Sequence, residues 1–245
     1  MSMRNIYLQK LLSHIKKKGM RTLHDIQGKK QLHFLHIGKT GGSAIKHALT
    51  QHSISSRYVI NLHRHHVRLY DVPKGEKVIF CLRDPVSRFV SSFYSRQRQG
   101  QPRYFIPWNK NEEIVFGEFN TPNELALALS SLNKEKKSKA QLGMKHIQHV
   151  RDSYWKWFEN EDYFKSRLSD IFFIGFQERL TEDFEILRLK LGLPKGTTLP
   201  ADDLKSHRNP KHVDKSLEDE AISNLHHWYK DDFEFISLCE KFAEK

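Results

Sequence analysis

Five consecutive residues, Lys39, Thr40, Gly41, Gly42 and Ser43, place a cation, two hydroxyls and two glycines between an apolar run and a helical pattern. That combination suits an oxyanion. Gly38, Gly41 and Gly42 let the backbone bend and approach a ligand, while N–H groups of the turn and of the helix start point at negative charge. A nucleoside-triphosphatase loop needs a further glycine where this chain has His33, so the Walker signature is incomplete. Further along, the run Lys77 to Leu82 stops at Arg83, Asp84 and Pro85. A helix is expected there, because Asp84 can cap it, Pro85 suits its first turn, and Val86, Phe89, Val90 and Phe93 share one face. Arg83, Arg88 and Ser91 then lie near the strand-helix junction. An arginine at the strand end and a serine two turns into the helix can meet on one phosphate.

In this order, each after an apolar run, the two motifs resemble those of the sulfotransferases that use 3′-phosphoadenosine 5′-phosphosulfate (PAPS). The likeness is to the heparan-sulfate 2-O-sulfotransferase-like group and its bacterial carbohydrate relatives; it covers residues 32–98 and, loosely, 171–184. It implies that Lys39, Thr40, Gly41, Gly42 and Ser43 hold the 5′-phosphosulfate and that Arg83 and Ser91 hold the 3′-phosphate. It further implies in-line sulfuryl transfer to an acceptor hydroxyl, most readily on a carbohydrate or glycan, without a metal. PAP is then the product nucleotide. The family's His-x-His-Val element falls between the two motifs and supplies the base, which corresponds here to His66 followed by Val67. Arg64 stands at the first position and breaks the pattern, leaving His65 and His63 as alternatives. Histidine suits proton removal near neutral pH; taken without the resemblance, the cluster reads equally as a basic substrate-binding edge.

Gly175 to Glu178 resembles a strand-end element of the same family, with Phe176 expected against the adenine. Ser206 to Lys211 resembles its late basic loop, which puts Arg208 and Lys211 on the 3′-phosphate side; that loop reads equally as a polar connection before the last helix. For the acceptor, Arg64, Arg68, Arg96, Arg98 and Arg103 with Tyr104, Phe105 and Trp108 suit an acidic sugar.

These residues need a scaffold, and 245 residues with 38% hydrophobic content suit one α/β domain. The expected fold is a single domain with a central, mainly parallel sheet flanked by helices, opening on a P-loop-like strand-loop-helix. Strands are expected near residues 32–37, Tyr58–Leu62, Lys77–Leu82 and 170–175. Helices are expected over about 141–165, 178–192 and 217–242. The stretch 98–121 reads as a long irregular loop, and the charge run 133–139 as a solvated turn. Residues 1–27 form a basic amphipathic N-terminal segment, and residues 28–245 the domain. The stripe at residues 4–18 is expected to dock on the domain, with peripheral membrane contact as the other reading.

A formal charge of +12 points to anionic partners. Two alternatives follow, a nucleotide kinase with a degenerate phosphate loop and a basic nucleic-acid-binding protein. The first lacks the Walker signature; the second shows no zinc-finger spacing, arginine-rich arm or RNA-binding signature. Two cysteines give no disulfide framework, with Cys81 expected as a small buried hydrophobe, and fifteen scattered histidines suggest no metal site. No run of 18 apolar residues and no signal-peptide pattern is visible, so the expected location is cytoplasmic.

Overall fold

The computed structural model describes residues 28–50, 52, 57–102, 104–201 and 213–243. The N-terminal stripe at 4–18, Arg103, Arg208 and Lys211 lie outside them. Four strands, β1 (Lys30–Leu35), β2 (Tyr58–Leu62), β3 (Lys77–Leu82) and β4 (Ile171–Phe176), pair in the order β2-β1-β3-β4, all parallel. The mainly parallel sheet and its four strands are as expected. β3 reads as a near-continuous apolar run because it is covered on both faces. Its Val78, Phe80 and Leu82 pack toward Trp157, Phe158 and Phe235, while Ile79 and Cys81 pack toward Phe184 and Leu187. Cys81 and Cys239 are both buried free thiols.

Helix α1 (Gly42–Thr50) leaves the Lys39 turn, and α2 (Pro85–Gln97) leaves β3 with the Asp84 carboxylate accepting from the Ser87 N–H at 2.8 Å. The chain runs from β1 outward to β2 and then crosses back to β3 on the other side. The two loops carrying the charged motifs therefore leave neighbouring strands in opposite directions, the place where open α/β sheets form a ligand crevice.

The stretch 98–121 is less irregular than expected. It holds α3 (Lys110–Glu118), set by Asn109, whose side chain accepts from the N–H groups of Asn111 and Glu112. Thr121 and Pro122 start α4 (Pro122–Leu127) in the same way. The charge run 133–139 is not a turn: Asn133 caps it, and the rest of it forms the first half of α5 (Lys134–His146). The single helix expected over 141–165 is broken after His146, leaving only short helical segments at Trp155–Phe158 and Glu161–Ser166. Side chains elsewhere in the fold replace the lost helical hydrogen bonds. Asp232 accepts from Ser153 and from the Tyr154 N–H, and Arg88 donates to the Asp152 carbonyl.

Beyond β4 run α6 (Leu180–Leu191), closed by Gly192 in the left-handed region, then α7 (Asp219–Trp228) and α8 (Lys230–Ala243). The pattern 217–242 is thus two helices, divided at Tyr229. No helix among the described residues is long and apolar enough to cross a membrane.

Two residues expected at the acceptor hold the scaffold instead. Arg96 is buried, 2.7 Å from Glu112, and donates to the carbonyls of Ile106 and Pro107. Trp108 donates its indole N–H to the Arg96 carbonyl and stacks on Phe116. Glu112→Ala leaves that guanidinium buried without its carboxylate and is expected to lower unfolding free energy by about 3–5 kcal/mol. An unchanged urea midpoint would refute the pairing as a stabilising unit.

Candidate active site

The turn after β1 is bent by its own sequence. Lys39 has φ +67° and Gly41 φ +81°, both in the left-handed region. At Gly42 no side chain fits, since a Cβ would lie 2.7 Å from the His36 ring. The Thr40 hydroxyl turns inward and donates to the Ile37 carbonyl at 3.1 Å. Thr40 is buried, so its side chain braces the turn while Lys39, Gly41, Gly42 and Ser43 line a cleft of about 1130 Å³.

Arg83 and Ser91 line the same cleft from the β3 side. Arg83 is positioned at several points. Its Nε donates to the Ser87 hydroxyl at 2.8 Å, and its backbone N–H and carbonyl both bond the Tyr154 hydroxyl. Arg88, one turn later, faces inward. Its Nε donates to the Gly38 carbonyl at 3.1 Å, its guanidinium sits 4.6 Å from the Tyr154 ring centroid, and Asp232 lies 3.6 Å away. It fastens the turn and does not reach the cleft.

The cations are crowded. Loss of water around Lys39, together with the charges of Arg98 and Arg83, lowers its pKa to about 7. Burial likewise lowers Arg83 from its ordinary value. A cluster that holds its own lysine at the edge of deprotonation is set up to receive negative charge.

His65 also lines the cleft, with its ring tilted against that of His36 at 4.0 Å between centroids. Its Nδ1 lies 2.9 Å from the His36 carbonyl, so Nδ1 carries the proton and Nε2 is left with its lone pair. Loss of water around the ring lowers its pKa below 6.5, against the opposing effect of that hydrogen bond. His66 is exposed and does not line the cleft. His63 turns to β1, where its Nε2 lies 2.8 Å from His33 Nδ1, and His33 Nε2 in turn lies 2.6 Å from the Glu76 carboxylate.

Phe176 is buried in the core beside Val78 and Phe80, and the cleft is lined instead by the next two residues, Gln177 and Glu178. Glu178 accepts from the Asp84 N–H at 2.9 Å and so joins the ends of β3 and β4. Tyr104 lines the cleft, while Phe105 is 59% exposed beyond it. His36 and His149 also line it and were not singled out in the sequence. His36 sits beside the turn motif and was open to notice; His149 lies three residues beyond α5 with no local signature.

The cleft suits an anionic nucleotide in size and charge, since Lys39, Arg83 and Ser91 line it together with the imidazole of His65. A family model described as "Sulfotransferase family" matches residues 24–236. No curated protein matches the chain.

Proposed function

The chain belongs to the sulfotransferase family, and from that premise we propose that it moves the sulfuryl group of PAPS to an acceptor hydroxyl, most readily on a carbohydrate. The observation that carries the reading is the convergence of Lys39, Ser43, Arg83, Ser91 and His65 on one cleft. Bound there, PAPS supplies an activated sulfur with a phosphate leaving group. The N–H groups of the 40–43 turn and Lys39 hold the 5′ end, and Arg83 with Ser91 holds the 3′-phosphate.

His65 Nε2 takes the proton of the acceptor hydroxyl as that oxygen bonds to sulfur, and the bond from sulfur to the 5′-phosphate oxygen breaks in line. Lys39 stabilises the charge that gathers on the departing oxygen. The carbohydrate acceptor rests on family likeness, together with Tyr104 at the cleft and Phe105 exposed beyond it. The location is proposed as cytoplasmic.

Calorimetric titration with PAP, 5′-AMP and ATP, with and without Mg²⁺, tests the reading. Micromolar PAP binding that is indifferent to Mg²⁺ and far tighter than 5′-AMP binding is expected. Preference for ATP with Mg²⁺ would return the kinase alternative. Arg83→Ala is expected to weaken PAP binding about 10- to 100-fold, the worth of a charge-assisted hydrogen bond, while leaving 5′-AMP binding nearly unchanged. Equal loss for both nucleotides would move Arg83 away from the 3′-phosphate.

A further inference from the structure

His149, like His36, is an imidazole of the cleft wall that the proposed chemistry leaves unused. It is 8% exposed and lines the cleft, and its backbone holds φ +69° without being glycine. Such a conformation persists only when the surroundings fix it. Here they do. Glu112 accepts from the Gln148 N–H at 3.2 Å, and the Tyr229 hydroxyl donates to the Val150 carbonyl at 2.9 Å. The residues on both sides of His149 are thus tied to α3 and to the junction between α7 and α8, and the ring is held where it is.

The ring packs on the phosphate-binding turn at Gly38, where a Cβ would come within 2.4 Å of His149 Nδ1. Its other neighbour is His65, 5.4 Å between centroids. Nδ1 is buried with no hydrogen-bond partner among the described residues, since the Asp152 carboxylate is 3.8 Å away. That leaves Nε2 as the nitrogen which serves the cleft. A proton on Nδ1 would be a buried, unmatched N–H, which folded proteins rarely contain, whereas a proton on Nε2 leaves only an unused lone pair inside.

His149 thus stands between the turn that holds the leaving group and the histidine that faces the incoming hydroxyl. In an in-line displacement those two groups mark the ends of the reaction axis, and what lies between them faces the equatorial oxygens. We propose that His149 is a further catalytic residue, whose Nε2–H donates a hydrogen bond to an equatorial oxygen of the sulfuryl group during transfer. The inference rests on the proposed function. Burial and the neighbouring His65, Lys39 and Arg88 hold the ring neutral, well below the ordinary histidine range. A neutral donor steadies those oxygens without drawing charge away from the leaving oxygen, which Lys39 serves.

The test compares PAPS, which carries the sulfuryl group, with PAP, which lacks it. His149→Asn is the variant of choice because asparagine tolerates the left-handed backbone. It is expected to bind PAP within about twofold of wild type, to bind PAPS about 5- to 10-fold more weakly, and to turn PAPS over more slowly. Equal weakening of both nucleotides, or of neither, overturns the role of His149 and leaves the proposed function standing. Wild-type protein that binds neither nucleotide overturns the proposed function and this inference together. Should the variant fail to fold, the imidazole ¹⁵N spectrum of wild type decides: the His149 Nε2 resonance shifts with PAPS and not with PAP if it touches the sulfuryl oxygens. The same shift with both nucleotides overturns the contact.

Discussion

Lys39→Met is expected to convert PAPS to PAP at least ~100-fold more slowly than wild type, with any productive acceptor or with water, because it removes the cation beside the leaving oxygen. Turnover within a few-fold of wild type would remove Lys39 from the mechanism. A second readout concerns protons. In the free protein Lys39 has a pKa of about 7, lowered first by loss of water and then by Arg98 and Arg83. A polyanion in the turn restores the charged form, so at about pH 8 nucleotide binding should take up a proton, and at about pH 6, where Lys39 already holds one, it should not. Calorimetry in buffers of different ionisation enthalpy reads this directly, and Lys39→Met should abolish the difference.

The same shift fixes the sign of this group's effect on stability. Between about 7 and its ordinary 10.5, the unfolded lysine holds a proton that the folded one has released, so this contribution to stability rises with pH across that window. Below about 7 both states are protonated and the destabilisation is at its full size. Bound nucleotide relieves it.

The second large effect separates two adjacent histidines. His65→Ala is expected to lower kcat/KM by roughly 10²- to 10⁴-fold, the usual worth of a positioned general base, and His66→Ala to change it only a few-fold. The reverse result would place the base on His66 and require the loop after β2 to move. The pH profile adds a check. His65 must be neutral to accept a proton, and crowding of its ring against water lowers its pKa, so activity should persist below pH 6.5 and fall only at more acid values. A limb above 6.5 would belong to another group.

The sequence carried the anion turn and the arginine-serine pair because both are local: a strand, a bend and a helix start, with glycines and charges at short spacing. The sheet was legible for the same reason, since its strands are short apolar runs, and those of β1, β3 and β4 are mostly buried. The choice between His65 and His66 was not legible. Both residues are exposed in one loop, and only the distant His36 carbonyl decides which ring is held at the cleft. Arg96 and Trp108 looked like acceptor residues by type, yet the buried Glu112 carboxylate and the carbonyls of residues 106–107 claim the arginine. Phe176 followed the strand's alternation into the core, and the two polar residues after it took the cleft. The break after His146 was invisible because its cause lies in Asp232 and Arg88, far away in the chain. His149 became a wall of the cleft through that same break.

Arg88 touches the Gly38 carbonyl, the Asp152 carbonyl and the Asp232 side chain, and so joins the anion turn, the wall bearing His149 and the last helix. These three pieces are thereby tied to open together, since the turn cannot loosen without exposing a buried charge and α8 cannot lift without stranding it. A ligand seated at the turn is therefore expected to slow amide hydrogen exchange in the C-terminal helix, which becomes a reporter of occupancy.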